Sequence, residues 1–223
     1  MVKRVNTLDL EKFIDYTLLK PDASRNGIKK LCREAVKYGF YSVCVSQIWV
    51  KFAKKLLHGS GVKIGTVVGF PLGTSQSVIK VLEATRAKLD GADELDMVMN
   101  IGAFKSGDYK LVEDEIKFVV EVAGRDTPVK VIIETAYLND REKIRACRIV
   151  KRAGASFVKT STGFGGISGA TVHDVKLMRK TVGKGIGVKA AGGIRDRATA
   201  IAMIKAGANR IGTSTGIEIV TGR

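Results

Sequence analysis

The sequence is poor in the residues that define several protein classes. Its 223 residues include three cysteines, two histidines, three prolines and one tryptophan, and aromatic residues make up only 6%. Cys32, Cys44 and Cys147 form no CxxC motif or paired spacing, which favours a reducing compartment over a disulfide framework. His58 and His173 lie far apart with no cysteine nearby, so the sequence argues against a zinc site and we expect no bound metal.

Long apolar runs are also absent. No segment approaches the roughly 20 apolar residues of a membrane-spanning helix. Near the N-terminus, Asp9, Glu11, Lys12 and Asp15 interrupt the apolar stretch that a signal peptide needs. We therefore expect a soluble cytoplasmic protein with no membrane partner. The hydrophobic content of 45% is sufficient for a sizeable core, so an intrinsically disordered chain is excluded.

Basic residues are in large excess, and the formal net charge is +16. Nucleic-acid binding is one explanation, because clustered lysine and arginine neutralise phosphates. The basic residues are instead spread along the predicted helices, with no run of five like charges and few aromatic residues for stacking. We therefore favour solvated helix faces and expect no nucleic-acid partner. A positive field would also attract a small phosphorylated substrate.

The chain repeats one pattern: a short apolar run, a polar or glycine-rich loop, an amphipathic helix and a glycine. The eight runs predicted as strands are residues 13–17, 41–46, 62–69, 94–99, 129–134, 157–160, 187–190 and 210–213. Several are nearly continuous apolar runs, which is typical of parallel strands covered on both faces. The pattern predicts an α/β fold, a single (β/α)₈ TIM barrel spanning residues 1–223 as one domain. An open doubly wound sheet is the alternative.

Helix boundaries can be predicted from caps and glycines. Ser24 is a suitable N-cap for a helix that stops at Gly39. A second helix is predicted to start at Thr74 or Ser75 and to end near Gly91, and its apolar face would carry Val78, Val81, Leu82 and Leu89. Three helix-to-strand junctions share the form Gly-Ala-X, at residues 91–93, 154–156 and 207–209, and this repetition favours one closed array.

Lys159, Lys189 and Asp96 are the candidate catalytic residues. They lie in the predicted strands, whose C-terminal ends form the active site of a parallel barrel. Lys159 and Lys189 are 30 residues apart, about one repeat, which places them on neighbouring strands. Repulsion between two amines and partial burial would lower the pKa of each, and a neutral amine can attack an aldehyde. Asp96 would then move protons. The alternatives are lysines that extend to solvent and a structural ion pair for the aspartate.

Glycine-rich loops after the last three predicted strands form a candidate phosphate site. Backbone N–H groups in such loops bind phosphate, and loops seven and eight are the usual location in a barrel. Arg195 is a candidate phosphate ligand, with pairing to Asp196 or exposure to solvent as the alternatives. The candidate substrate- and phosphate-binding residues are Thr162, Gly163, Gly192, Gly193, Arg195, Gly212, Ser214 and Thr215.

The sequence resembles the deoxyribose-phosphate aldolases over nearly its whole length. The matching segments are DYTLL (15–19), VVGFPLG (67–73), ELDMV (94–98), VIIET (131–135), FVKTSTG (157–163) and GVKAAGG (187–193). The resemblance implies a class I aldolase that reversibly cleaves 2-deoxy-D-ribose 5-phosphate into acetaldehyde and D-glyceraldehyde 3-phosphate. It implies that Lys159 forms the Schiff base, that Lys189 lowers its pKa, and that Asp96 shuttles protons. It also implies no cofactor or metal, and a homo-oligomer, either a dimer or a tetramer.

Two departures from the family pattern affect the expected site. Phe164 stands where some members have a phosphate-binding lysine, and the chain ends at Arg223 without the C-terminal tyrosine of some members. Asp15, Cys44 and Glu134 are possible supporting residues. For Cys44 we favour a buried apolar role over a reactive one, and for Glu134 a structural ion pair is equally plausible.

Two other functions stay open at this point. One is a lysine-dependent barrel aldolase that acts on a keto-sugar phosphate. The other is a basic barrel that binds phosphates or nucleic acid without chemistry.

Overall fold

The computed structural model describes residues 9–166 and 169–222, which form a closed barrel of eight parallel strands. Each strand pairs with the next along the chain, and the first pairs with the last. The predicted TIM barrel is therefore confirmed and the open sheet is excluded. The strands are β1 (Ile14–Leu18), β2 (Ser42–Val45), β3 (Lys63–Val68), β4 (Glu94–Val98), β5 (Val129–Ile132), β6 (Phe157–Lys159), β7 (Gly187–Ala191) and β8 (Arg210–Thr213).

Helices follow the strands and surround the barrel. Those in the described residues are α1 (Arg25–Tyr38), α2 (Val50–Leu56), α3 (Ser77–Leu89), α4 (Ile101–Lys105), α5 (Tyr109–Ala123), α6 (Asp140–Arg152), α7 (Val172–Val182), α8 (Arg197–Lys205) and α9 (Gly216–Thr221). Short 3₁₀ turns occupy Leu10–Phe13, Gln47–Trp49 and Thr135–Tyr137. Within the described ranges, none of these helices has the length and apolar composition needed to traverse a bilayer.

Side chains alternate along the strands, contrary to the nearly continuous apolar runs predicted from the sequence. In β4, Leu95 and Met97 are fully buried in the hydrophobic core between barrel and helices. Glu94 and Asp96, which alternate with these two residues, are also buried but make ion pairs inside the barrel. The main apolar core is therefore outside the strands, and charged side chains fill much of the barrel interior.

The three Gly-Ala-X junctions have the same structure. Gly91, Gly154 and Gly207 have φ angles of +98°, +82° and +115°, a region that side chains disfavour. In each copy the residue after the alanine donates a backbone hydrogen bond to the preceding strand, as in Asp93 N to Ile64 O at 2.7 Å. This shared bond fixes the point at which each new strand joins the barrel.

The predicted boundaries of α1 are correct, and so is the predicted end of α3 near Gly91, whereas the predicted start of α3 is wrong. Ser24 caps α1 by accepting a hydrogen bond from Gly27 N at 3.2 Å, and Gly39 ends the helix in the left-handed region. Helix α3 begins only at Ser77, because residues 69–73 form a separate turn closed by a bond from Gly73 N to Gly69 O at 2.8 Å.

The predicted apolar face of α3 is wrong except at Val81, which packs against the core. Leu82 and Leu89 are 58% and 77% exposed, while the buried face carries Lys80. Lys80 forms a buried salt bridge of 2.8 Å to Glu115 of α5. It also donates to Gly73 O at 2.8 Å and to Val98 O at 2.9 Å, which holds the β3–α3 loop against the barrel. Helix α3 is therefore oriented by a polar anchor.

Most predicted strands extend one or two residues beyond the observed ones. The strand predicted at residues 129–134 ends at Ile132, because Glu134 has a left-handed backbone with φ of +50°. The strand predicted at 62–69 ends at Val68, before Gly69 with φ of +61°. The chain leaves the barrel at these points and enters the loops above it.

Candidate active site

The three candidate catalytic side chains meet inside the barrel. Lys159 Nζ lies 2.7 Å from Asp96 Oδ2, and Lys189 Nζ lies 2.8 Å from the same oxygen. Lys159 and Lys189 are register partners on β6 and β7, as the spacing predicted. Lys159 is 4% exposed and Lys189 is 1% exposed, so neither extends to solvent. One carboxylate oxygen therefore contacts two buried amines.

Asp15 is part of the same network. Its Oδ2 lies 2.6 Å from Lys189 Nζ, while its Oδ1 accepts hydrogen bonds from Ser42 Oγ at 2.8 Å and from Arg210 at 3.0 Å. Asp15 is fully buried on β1. It therefore gives Lys189 a second carboxylate partner in addition to Asp96.

Lys130, Glu94 and Arg210 also belong to the network, and the sequence analysis missed them. Lys130 Nζ donates to Asp96 Oδ1 at 2.9 Å and to Glu94 Oε2 at 2.7 Å. Arg210 bridges Glu94, at 3.3 Å, to Asp15. Lys130 was detectable by the signal used for the other lysines, since it interrupts an apolar strand. Glu94 and Arg210 begin their strands, and no feature of the sequence separates them from ordinary strand-end charges.

Burial and neighbouring charges set the two lysines apart. Burial lowers the pKa of Lys159, the charge of Lys189 lowers it further, and Asp96 only partly opposes this. Burial acts in the same direction on Lys189, but Asp15 and Asp96 together raise its pKa above the ordinary value. The prediction that both lysines are shifted toward neutrality is therefore wrong for Lys189, which remains a cation.

The charge count of the interior network leads to the same assignment. In the described residues it comprises four cationic side chains and three carboxylates: Lys130, Lys159, Lys189, Arg210, Asp15, Glu94 and Asp96. The network is electrically neutral when one lysine is uncharged. Lys159 has the weakest carboxylate support of the three lysines, because its one partner, Asp96, is shared with Lys130 and Lys189. Burial acts to raise the pKa of Asp96, but the amino groups of Lys130, Lys159 and Lys189 hold it well below its usual range.

Cys44 lies on β2 and is 1% exposed. Burial is the main reason that its pKa is raised to about 11, and Asp96 adds to the effect. Thiolate is the reactive form of cysteine, so Cys44 is held as an unreactive thiol at neutral pH. This agrees with the buried apolar role expected from the sequence.

Glu134 and Thr162 shape the loop after β6. Glu134 Oε2 accepts hydrogen bonds from the Thr162 backbone N–H at 3.0 Å and from its hydroxyl at 2.6 Å. The same hydroxyl accepts a bond from Phe164 N at 3.0 Å. Thr162 was predicted to bind substrate or phosphate, but these polar groups are already engaged within the protein. These bonds make Thr162 a support of the loop, and the residue also lines the cavity described below.

Thr215 requires a similar correction. Its backbone N–H donates to Thr213 Oγ1 at 3.0 Å, and its hydroxyl donates to Arg195 O at 3.2 Å. Its polar groups tie the β8 loop to the β7 loop and are not directed at a ligand. Asp196 caps α8 through Thr199 N at 2.8 Å and makes no ion pair with Arg195 among the described residues. The exposed Arg195 side chain is thus available at the barrel mouth.

A cavity of about 370 Å³, here called the site cavity, opens at the mouth directly above Lys159. It contains most of the predicted phosphate residues, together with β1-loop residues that the sequence analysis did not select. One of these β1-loop residues, Lys20, adds a further cation at the rim of the cavity. The residues that line it include Thr17, Leu18, Leu19, Lys20, Lys159, Gly163, Phe164, Gly192, Gly193, Arg195, Gly212 and Ser214.

Glycine is required at two points around this cavity. Gly192 and Gly193 have consecutive φ angles of +89° and +76°, which directs the turn after β7 toward the mouth. A Cβ on Gly212 would lie 3.1 Å from Lys189 Cε. The glycine at 212 therefore leaves the space that the Lys189 side chain occupies.

His173 and Asp174 of α7 lie close to Asp140 of α6. His173 Nε2 is 2.8 Å from Asp140 Oδ2, but Lys143 Nζ lies 2.6 Å from Asp174 and 3.4 Å from Asp140. The one Lys143 ammonium thus pairs with both carboxylates. We therefore interpret this cluster as an interhelical ion-pair network.

Comparison with known proteins identifies the class of enzyme to which such a site belongs. Residues 13–222 match the DeoC/LacD family of aldolases, and the chain belongs to this family. It is 59% identical over 218 residues to the deoxyribose-phosphate aldolase of Thermococcus gammatolerans, covering 96% of each chain.

Solved structures agree with this assignment. A putative deoxyribose-phosphate aldolase from Coccidioides immitis superimposes with a TM-score of 0.93 at 41% identity, over 96% of this chain and 85% of that one. The tetrameric deoxyribose phosphate aldolase from Aeropyrum pernix gives a TM-score of 0.89 at 34% identity, over 96% of this chain and 90% of that one. The fold and the family are thus established together.

Proposed function

We infer that this chain is a class I aldolase that reversibly cleaves 2-deoxy-D-ribose 5-phosphate into acetaldehyde and D-glyceraldehyde 3-phosphate. Curated relatives in this family that are 55–59% identical carry the name deoxyribose-phosphate aldolase. The observation that carries the mechanism is the buried amine of Lys159, 2.7 Å from the carboxylate of Asp96. A neutral amine in this position can attack an aldehyde, and the carboxylate can take up and return protons.

The proposed reaction begins when Lys159 Nζ attacks C1 of the open-chain sugar. Loss of water gives a protonated imine, which accepts the electron pair of the C2–C3 bond as that bond breaks. Asp96 takes the proton of the C3 hydroxyl, directly or through a water molecule, and D-glyceraldehyde 3-phosphate leaves. Protonation of the resulting enamine at C2 and hydrolysis of the imine release acetaldehyde and restore the free amine.

Lys189 and Lys130 act on this reaction through charge. Lys189 remains cationic because Asp15 and Asp96 stabilise its ammonium, so it lowers the pKa of Lys159 throughout the cycle. Lys130 binds the other oxygen of Asp96 at 2.9 Å and fixes the orientation of the carboxylate. The remaining oxygen of Asp96, Oδ2, therefore faces Lys159.

We assign the substrate phosphate to the side of the barrel mouth that the loops after β6, β7 and β8 form. Among the described residues, the backbone N–H groups of Gly163, Gly193 and Ser214 make no hydrogen bond within the protein, so they are free to donate to an anion. Arg195 and Lys20 supply positive charge at the same cavity. With Phe164 in place of a lysine, phosphate binding rests on these groups.

Trapping the imine tests the proposal. The protein is incubated with acetaldehyde and borohydride, and the reduced two-carbon adduct is located by peptide mass analysis. We expect one dominant adduct on Lys159, absent in Lys159→Leu and unchanged in Lys176→Leu, an exposed lysine of α7. Adducts spread evenly over surface lysines would contradict the assignment. Release of free acetaldehyde from the sugar phosphate separates this activity from cleavage of a keto-sugar phosphate.

We also propose that the enzyme is a cytoplasmic homo-oligomer, a dimer or a tetramer. The exposed Val78, Leu82 and Leu89 of α3 supply apolar surface suited to subunit contact, and the Aeropyrum pernix relative is a tetramer. The three cysteines are buried free thiols, which suits a reducing compartment. Light scattering is expected to give a multiple of the 24.0 kDa chain mass, and a monomer would contradict the oligomer.

A further inference from the structure

Six charged side chains inside the barrel form a closed ring in which positive and negative groups alternate. Successive members of the ring lie 2.6–3.3 Å apart, in the order Asp96, Lys130, Glu94, Arg210, Asp15, Lys189 and back to Asp96. Three carboxylates and three cations make the ring neutral. Lys159 is bound to the ring at Asp96 Oδ2, so an ammonium at Lys159 adds an unbalanced positive charge.

Glu94 and Arg210, here called the floor pair, close the ring at the end of the barrel opposite the mouth. Glu94 is the first residue of β4 and Arg210 the first of β8, and they are 3% and 7% exposed. The guanidinium carbon of Arg210 lies 3.1 Å from the ring centroid of Tyr41 and 5.6 Å from that of Phe157, so two aromatic rings cover it. Charges shielded from water in this way act over longer distances than surface charges.

The floor pair is connected to both oxygens of Asp96. Glu94 is linked to Oδ1 through Lys130, with contacts of 2.7 and 2.9 Å. Arg210 is linked to Oδ2 through the other two members of the ring. Oδ2 is also the atom that accepts the hydrogen bond from Lys159. A change of charge at the floor is therefore transmitted to the nucleophile along two paths.

We propose that Glu94 and Arg210 are positioning residues of opposite effect, which together set the fraction of Lys159 that is an uncharged amine. The proposal rests on the proposed function, because it concerns the nucleophile of that reaction. Arg210 opposes an ammonium at Lys159 and also neutralises Asp15, whose free carboxylate would favour one. Glu94 acts in the opposite direction, because it balances the charge of Lys130. Neither member of the floor pair lines the site cavity.

Other titratable groups near Lys159 lie outside the ring. Cys44 of β2 is an uncharged thiol, because burial raises its pKa to about 11. Glu134, which follows β5, accepts hydrogen bonds from the β6 loop. Lys20 and Arg195 line the site cavity above the amine. All four are the same in each variant compared below, so a difference between the variants comes from the floor pair.

The test measures the pH dependence of borohydride trapping of acetaldehyde on Lys159. Acetaldehyde has no titratable group, whereas the phosphate of the sugar substrate titrates with a second pKa of about 6. The midpoint of trapping therefore reports on the amine alone. In Arg210→Gln a cation is lost and the ammonium of Lys159 is better stabilised, so the midpoint should move to higher pH.

Glu94→Gln should move the midpoint in the opposite direction, to lower pH. The variant loses an anion but keeps Lys130 charged. Burial acts to lower the pKa of Lys130, but three carboxylates raise it above the ordinary value, and two of them, Asp96 and Asp15, remain in the variant. The network thus gains positive charge, which disfavours an ammonium at Lys159.

The double variant Glu94→Gln/Arg210→Gln removes one charge of each sign and should return the midpoint to the wild-type value. Arg210→Lys keeps the cation and should do the same. Lys63→Gln is the matched control for loss of a charge at this end of the barrel. Lys63 is the first residue of β3 but is exposed, so water and salt screen its charge and the midpoint should not move.

Charges at the bottom of a barrel commonly serve stability alone, and the experiment separates that role from the proposed one. A purely structural pair gives equal midpoints in all folded variants. That result, midpoint shifts in the same direction for both single variants, or a double variant that keeps the shift of either one would overturn the proposal.

Unfolding is followed by circular dichroism for every variant. If one single variant does not fold, comparison of the other with the double variant gives the missing effect, with the same expected direction. Failure of the proposed function is distinguishable, because the wild-type protein would then form no Lys159 adduct. Failure of the present inference leaves that adduct intact and its midpoint unmoved by the floor pair.

Discussion

At the residue scale, the network assigns different charges to two lysines that have the same local sequence pattern. Lys159 and Lys189 each interrupt a short apolar strand, yet only the pKa of Lys159 is lowered. The difference comes from Asp15, which contacts Lys189 and not Lys159. Because a nucleophilic amine must be neutral and its neighbour must stay charged, Asp15 decides which lysine has which role.

Removal of the neighbouring charge should shift the pH dependence of the enzyme. In Lys189→Met the cation that destabilises charged Lys159 is lost, so the pKa of Lys159 rises and less neutral amine is present at a given pH. The acidic limb of the kcat/KM profile should therefore move to higher pH. Lys176→Met, on the exposed face of α7, is the control. An unchanged limb would show that Lys189 does not control the nucleophile.

Asp96→Asn separates the two effects of Asp96, one on the pKa of Lys159 and the other on proton transfer. Its carboxylate raises the pKa of Lys159, so the amide should leave the amine at least as neutral as in the wild type. The proton relay is lost, and kcat for cleavage should fall by roughly 10²–10⁴-fold. Reductive trapping of acetaldehyde on Lys159 should persist. Loss of trapping together with turnover would indicate that Asp96 is needed to hold Lys159 in place.

The sequence was sufficient to select Lys159, Lys189 and Asp96, because each is a charge inside an apolar strand. It was insufficient for Glu94 and Arg210, since charges at strand starts are common and only the closed barrel brings these two together. Thr215 shows the opposite error. Its position suggested ligand contact, but the hydrogen bonds that engage it depend on loop conformations that local sequence does not specify.

At the scale of elements, the loop after β6 takes its shape from a side-chain hydrogen bond. Thr162→Val removes the hydroxyl that connects Glu134 to Phe164 N. The adjacent Gly163 would lose its position, and we expect KM for the sugar phosphate to rise by about tenfold, equivalent to ~1.4 kcal/mol. The pH profile should not move, because the amine network is untouched. An unchanged KM would exclude the loop as a phosphate-binding element.

Helix α3 shows why periodicity alone misplaces an element. Its leucines and valines suggested the buried face, but the buried salt bridge between Lys80 and Glu115 determines its orientation. Lys80→Met leaves the Glu115 carboxylate buried without its partner. We expect the free energy of unfolding in denaturant to fall by about 3–5 kcal/mol.

The double variant Lys80→Met/Glu115→Leu removes both charges and should recover most of that stability. Lys117→Met is the control for loss of a surface ion pair, because Lys117 is a half-buried lysine of α5 that pairs with Glu113. A single Lys80→Met variant as stable as the wild type would show that α3 is held by its apolar contacts alone.

At the scale of the whole molecule, the barrel was predictable because its repeats and Gly-Ala-X junctions occur at regular intervals along the chain. The contents of the barrel were not predictable to the same extent. Apolar side chains pack outward beneath the helices, while the inward positions of successive strands bring together charges from distant parts of the sequence. Arg210 and Asp15, for example, are 195 residues apart in the chain and 3.0 Å apart in the structure.

Lys159 is the one lysine of the described barrel interior whose pKa is lowered. Burial also acts to lower the pKa of Lys130 and Lys189, but their carboxylate partners raise it above the ordinary value. The nucleophile is thus a property of the closed barrel and not of one strand. Its titration therefore reports on the entire network.

The most direct test is the pH at which each lysine reacts with acetaldehyde and borohydride, followed peptide by peptide. Adduct formation at Lys159 should reach half its maximal rate at a lower pH than adduct formation at the exposed Lys29 and Lys55, which serve as internal references. A common midpoint for Lys159 and the exposed lysines would contradict the account.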